Sequence, residues 1–195
     1  MSASIADASR SILLVVDMQP SFLKVIHETD RILSRCEFLI RMANLLDIPV
    51  IATEQNPERM HGTSERLMPL LDTPPISKMT FSCVGCEAFD QALKATSNPK
   101  SDIRNPKPNQ AILVGIETHI CVTQTALHLL EQGYQVKVCE DAASARAKEM
   151  NEIGFRRLRH AGVDVAHTES IAYEWLRRAD SPKFREALQI VKQFS

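Results

Sequence analysis

The chain has 195 residues, 44% hydrophobic and 24% charged, enough to bury one core of its own and too apolar for a disordered segment. A formal net charge of −1 gives no electrostatic pull toward nucleic acid or an anionic membrane. The opening MSASIADASR lacks the basic start and apolar stretch of a signal peptide and no run approaches membrane-spanning length, so the expectation is a cytoplasmic, single domain over 1–195 with a flexible N-terminus at 1–10.

Residues 11–16, SILLVV, form an apolar, β-branched run ending on Asp17 and predict a buried strand with a carboxylate at its C-terminal end. In 29–47, TDRILSRCEFLIRMANLLD, Ile32, Cys36, Leu39, Ala43 and Leu46 recur four, three, four and three apart, the spacing of a helix with one buried face. Residues 49–53 (PVIAT) predict a second strand. The stretch 55–74, with Asn56-Pro57, His61-Gly62, Pro69 and Pro74, predicts a long loop holding one or two helical turns. Residues 76–79 predict a weak third strand carrying Lys78, 87–96 a helix, and the proline-rich 97–109 an exposed connection. A strand at 111–114, a helix at 121–132 closed by Gly133 and a strand at 135–139 follow, then a helix at 148–160, a strand at 163–167, and helices at 169–177 and 182–194.

Six strands alternate with helices and are apolar on both faces. That pattern predicts a doubly wound α/β domain: a mainly parallel sheet with helices on both sides, three layers in all. In such sheets ligands bind beyond the carboxyl ends of the strands, at the switch in strand order. Asp17 ends the first strand, Lys78 lies at the end of the third, and Cys121 follows the fourth at the start of a helix. If these strands are neighbours, a thiol, a carboxylate and an ammonium converge. A helix N-terminus and a nearby ammonium would favour the thiolate, the carboxylate could take its proton, and turn amides could face an oxyanion. Each residue alone also has a plain reading: an inert core thiol, a turn aspartate, a solvated lysine.

These residues resemble the isochorismatase-like cysteine hydrolases, and most of all their isochorismatase domain-containing subgroup. The stretches that carry the resemblance are LLVVDMQPSF (13–22), VIATEQNP (50–57), SKMTFSC (77–83), LVGIETHICVTQTALHLLEQGYQVKVCEDAASAR (113–146) and HTESIAYEWLRRADSPKFREALQIVK (167–192), essentially the whole chain from Ser11. The resemblance implies Asp17 as catalytic aspartate, Lys78 as its lysine and Cys121 as nucleophile. It also implies a cis peptide at Ile116–Glu117, with the amides of Glu117 and Cys121 forming the oxyanion hole. Gln19, Phe22, Gln55, Phe81, Ile116 and His119, near the strand ends, are the candidates for shaping the substrate pocket.

The departures narrow the chemistry. Metal-dependent nicotinamidases of this family carry an Asp-x-His pair and a further His after the second strand. Here that stretch reads ATEQNPERMHGTSERLM, with Glu54, Gln55 and only His61, so no catalytic metal and no cofactor is expected. No cluster of arginines at the strand ends suits a dianionic isochorismate. A small neutral or weakly charged amide or related carbonyl compound remains. Alternatives are a catalytically silent binding member of the fold, or a relative bearing the ribonuclease label, the latter disfavoured by near-neutral charge. The expected partners are a small-molecule substrate and a second copy of the chain in a homo-oligomer, with no nucleic acid or membrane.

Other candidates are weaker. The five cysteines (Cys36, Cys83, Cys86, Cys121, Cys139) are expected as reduced thiols. Cys83-Val84-Gly85-Cys86 has the spacing of a redox or zinc pair but no second pair, and reads as packing or exposed thiols. Of the histidines His27, His61, His119, His128, His160 and His167, only His119 lies near Cys121. A Cys–His pair there is the alternative to a surface position. No Gly-x-Gly-x-x-Gly or P-loop pattern is present.

Overall fold

The computed structural model describes residues 5–96 and 108–194. In chain order the elements are β1 (Ser11–Val16), α1 (Pro20–Leu23), α2 (Thr29–Leu45), β2 (Val50–Gln55), α3 (Pro57–Met60), a 3₁₀ turn at Met68–Leu70, β3 (Ile76–Lys78), α4 (Glu87–Ala95), β4 (Gln110–Ile116), a π-helical turn at Thr118–Val122, α5 (Thr123–Glu131), β5 (Gln135–Ser144), α6 (Lys148–His160), β6 (Asp164–Ala166), α7 (Thr168–Leu176) and α8 (Phe184–Gln193). The six strands form one parallel sheet ordered β3-β2-β1-β4-β5-β6. This is the expected three-layer α/β architecture. Most of the expected exposed connection, 97–107, lies outside the described residues. The short α1 lies in a stretch for which the sequence predicted no element.

The central strand shows why the apolar run folds this way. Successive side chains of a strand point to opposite faces. Leu13 and Val15 of β1 join a core with Phe38, Leu39, Ile171 and Trp175, under α2 and α7. Ile12, Leu14 and Val16 join a second core with Phe89, Val122, Phe155 and Leu158, under α4, α5 and α6. Both faces of β1 are therefore dry, and burying each such side chain contributes roughly 1.5–3 kcal/mol. A polar pair lies inside as well: the Trp175 indole N–H donates to Ser11 Oγ at 2.9 Å. At the N-terminus, described from Ile5, the Ala6 N–H donates to Glu174 Oε2 at 2.6 Å and the Asp7 N–H to Gln110 Oε1 at 2.7 Å.

β5 departs from the reading at its far end. It runs to Ser144, whereas the sequence predicted a stop at Cys139. The polar pair Glu140-Asp141 interrupts the apolar pattern at an irregularity in pairing: β5 advances from Val138 to Ala143 while β4 advances only from Leu113 to Gly115. Beyond it, Ala142 to Ser144 are again buried. Gly115 itself has φ 122°, and a Cβ there would stand 2.2 Å from the Val16 carbonyl oxygen. Only glycine lets the ends of β1 and β4 come this close.

Candidate active site

β1 and β4 are adjacent but their connections leave in opposite directions, β1 toward β2 and β4 toward β5. That is the switch in strand order, and a crevice opens beyond their carboxyl ends. Asp17 is the first residue past β1. Its φ of 55° is left-handed, a conformation aspartate tolerates better than most residues, and its N–H donates to the Thr53 carbonyl at 3.1 Å. The bend turns its carboxylate into the crevice.

The register explains how Lys78, two strands away, reaches it. Val16 is level with Thr53 across β1–β2, and Gln55 is level with Lys78 across β2–β3. The long lysine side chain crosses past the end of β2. Its Nζ donates to Asp17 Oδ2 at 2.7 Å, to Gln55 Oε1 at 2.8 Å, and to the Thr80 and Phe81 carbonyls at 3.2 Å each. The side chains of the pair are 0% and 2% exposed. The other Asp17 oxygen, Oδ1, accepts from Thr53 Oγ1 at 2.8 Å. Because that hydroxyl proton goes to Asp17, Cys83 Sγ, 3.7 Å from Thr53 Oγ1, must be the donor of its own contact. Cys83 is fully buried, and burial pushes its thiol up to about 11.

Cys121 sits in the π-helical turn that joins β4 to α5. The turn is held by Ile120 N–H to Glu117 O at 2.9 Å and by Thr123 Oγ1 to Thr118 O at 2.5 Å. The Cys121 thiol is buried and lines the same cavity as the Asp17 carboxylate. The thiol pKa moves upward, first through burial, then through the Asp17 charge, with Lys78 pulling less strongly the other way. This corrects the expectation of a favoured thiolate: the Lys78 charge is already committed to Asp17, so the proton rests on sulfur. The Ile116–Glu117 peptide is also not cis, since no cis bond occurs among the described residues. The chain turns instead at Glu117, with φ 13° and ψ 88°, followed by the π-helical turn.

A cavity of about 250 Å³ opens on these groups. Asp17 and Cys121 line it together with Gln55, and Phe22, Phe81, Ile116 and Ile120 supply apolar wall. Of the six pocket candidates, Phe22, Gln55, Phe81 and Ile116 line this cavity. Gln19 does not line the cavity. It is fully buried behind it, donating to the carbonyls of Gln55 (3.1 Å) and His61 (2.6 Å) and accepting from the Gln55 N–H at 2.7 Å. Its amide holds the loop after β2. Nor does His119 line the cavity; its Nδ1 faces Glu117 Oε2 at 3.4 Å.

Ile120, Arg146 and the Glu117 side chain line the cavity and were not anticipated. Arg146 follows the end of β5 by two residues, so the strand-end rule would have found it had β5 been read to its full length. Among the described residues no three His, Cys, Asp or Glu side chains come together as a metal site. Glu54 Oε1 instead accepts from the Thr63 N–H at 2.6 Å and its hydroxyl at 2.8 Å. All five cysteines are free thiols, Cys86 half-buried with Sγ 3.6 Å from the Ser77 carbonyl.

Residues 11–170 match the isochorismatase domain. The chain belongs to the isochorismatase family. Among relatives of this family, isochorismatase domain-containing protein 2A of Mus musculus is 34% identical over 183 residues, spanning 94% of this chain and 83% of that protein. The solved structure of the MAR1 ribonuclease from Caenorhabditis elegans superposes with a TM-score of 0.87 at 31% identity, covering 97% of this chain and 93% of that one. YcaC from Escherichia coli, described as an octameric hydrolase of unknown specificity, shares the fold with a TM-score of 0.83 at 21% identity, each chain covered fully. No helix among the described residues is long and apolar enough to cross a membrane.

Proposed function

We propose that this isochorismatase-family protein is a cysteine hydrolase that cleaves the C–N bond of a small amide or related carbonyl compound through a thioester on Cys121. The observation that carries this reading is that Cys121 and Asp17 line one small, mostly apolar cavity, with Lys78 buried behind Asp17 and bonded to it at 2.7 Å. Asp17 accepts the thiol proton as sulfur attacks the carbonyl carbon, so the nucleophile forms only when substrate is present. The carbonyl oxygen gathers negative charge near the turn, where the backbone amides of Glu117 and Cys121 are the proposed donors. The C–N bond then breaks, and the amine leaves with the proton from Asp17. Water, deprotonated by Asp17, attacks the thioester, releasing the acid and returning the proton to sulfur. Lys78 fixes the carboxylate and balances its charge, and each step uses only groups of this chain and water.

The test is amine release from a panel of small amides. Cys121→Ala should abolish it, and Asp17→Asn should slow it by about 10² or more. Turnover that survives in Cys121→Ala would refute the reading. Turnover of nothing by the wild-type chain would favour a binding member of the fold.

The name of the Caenorhabditis elegans relative raises a ribonuclease reading. The cavity favours the amide. Its walls are largely apolar, Lys78 is consumed by Asp17, and the chain carries no net positive charge to hold phosphates. RNA cleavage abolished by Cys121→Ala would reverse this preference. The proposal includes a homo-oligomer, supported by large apolar side chains at the surface such as Val25, Met79 and Phe81, and sedimentation equilibrium reads it directly.

A further inference from the structure

The cavity beside Cys121 carries two charges that the proposed chemistry does not use. Glu117 and Arg146 both line it and pair with each other, Nε to Oε1 at 2.9 Å. An ion pair of this kind is most often a surface contact worth little. Two observations argue against that here. The Glu117 side chain is only 11% exposed, and its Oε2 is buried without a hydrogen bond, as is His119 Nδ1 opposite it. A half-satisfied buried carboxylate weakens folding, so its place calls for another explanation. The Arg146 side chain is 51% exposed and still lines the cavity, so it stands where the cavity meets solvent.

Among the described residues the guanidinium is the one cation that lines the cavity; Lys78 does not line it and is engaged by Asp17 and Gln55. Among the described residues Arg146 has no protein partner other than Glu117. With Nε nearest the carboxylate, its two terminal nitrogens remain as a planar fork of donors, the geometry that binds a carboxylate through two parallel hydrogen bonds. Phe22, Phe81 and Ile120 supply apolar wall to the same cavity, suited to methylene groups. The volume lies below the ~300–1,000 Å³ usual for drug-sized ligands, which limits the ligand to a small acid.

We propose that Arg146 is the specificity-determining residue: the substrate is a small amide whose other end, a few bonds from the scissile carbonyl, is a carboxylate held by the Arg146 fork, with Glu117 as the positioning residue that aims it. This rests on the cysteine-hydrolase reading above and names its substrate class. It also revises the neutral substrate expected from the sequence, in which no arginine was seen at the strand ends.

The test needs no knowledge of the natural substrate. The full chain is alkylated with ω-iodo acids of two to five carbons, each against its matched carboxamide. Rates at Cys121 are read by peptide mass spectrometry, with half-buried Cys86, outside the cavity, as the internal reference. At one chain length or more the acid should outpace its amide at Cys121 by about 10-fold or more relative to Cys86. Arg146→Gln should bring the two rates within about 2-fold of each other, and Arg146→Lys, which keeps the charge without the fork, should retain a smaller preference. An absent preference at every length, or one that survives in Arg146→Gln, overturns the inference and leaves the hydrolase reading standing. A Cys121 that neither reagent modifies overturns both.

Discussion

Removing the Lys78 ammonium tests how deeply the site is built into the fold. Lys78→Met keeps the length and apolar stem of the side chain but leaves the Asp17 carboxylate, 2% exposed, with Thr53 as its hydroxyl donor and no counter-charge at 2.7 Å. It also strips a donor from the Thr80 and Phe81 carbonyls. Breaking a buried pair by removing one partner costs about 3–5 kcal/mol. For a chain of this size that is a fall in Tm of about 6–20 °C. Asp17→Asn should cost less, near the lower bound, because Lys78 keeps three neutral acceptors. The double variant should be more stable than the sum of the single losses by about 1.5 kcal/mol or more. Urea unfolding with a common m-value measures all three. Single losses below about 1 kcal/mol that simply add would be the behaviour of a solvated pair. The buried arrangement described here would then be wrong.

Three further outcomes are expected. Gly115→Ala places a Cβ 2.2 Å from the Val16 carbonyl oxygen at a φ of 122°; backbone cannot yield as a side chain would, so the loss should reach about 4 kcal/mol, visible as a collapse of soluble yield or Tm. Gln19→Leu leaves the Gln55 N–H and the Gln55 and His61 carbonyls without their amide partner, costing about 1–3 kcal/mol and raising KM for any substrate that touches Gln55. Cys36, Cys83, Cys121 and Cys139 all titrate above their ordinary 9.0, chiefly through burial, so above pH ~9 the folded state holds protons that the unfolded chain releases. Their stabilisation is complete below that pH and is lost above it, by about 1.4 kcal/mol per pH unit for each thiol. Urea midpoints between pH 7 and 10.5 should fall steeply past 9, less so in Cys36→Ala, and a flat profile would contradict the burial.

The sheet was legible because its strands are dry on both faces: SILLVV can be little else, and the helices between such strands follow from their spacing. Strand ends then located Asp17, Lys78 and Cys121, since a charged or nucleophilic residue just past an apolar run stands out. What escaped has identifiable causes. Arg146 was hidden because Glu140 and Asp141 made β5 look finished at an irregularity that the strand in fact crosses. Gln19 read as a pocket residue because proximity along the chain does not tell whether an amide faces a cavity or the backbone behind it. The direction of the Cys121 shift was misjudged because a neighbouring ammonium was credited to sulfur, whereas its geometry commits it to Asp17. The turn before Cys121 was expected to use a cis peptide. The chain achieves it through the backbone of Glu117 and a widened helical turn.

The most direct test of the account is rapid-quench intact-protein mass spectrometry during turnover of a small amide or its activated ester. The account predicts an acyl adduct that forms and decays at the steady-state rate, maps to Cys121, and is absent from Cys121→Ala. Hydrolysis with no adduct at any time, or with the acyl group on another residue and turnover unchanged in Cys121→Ala, would contradict it.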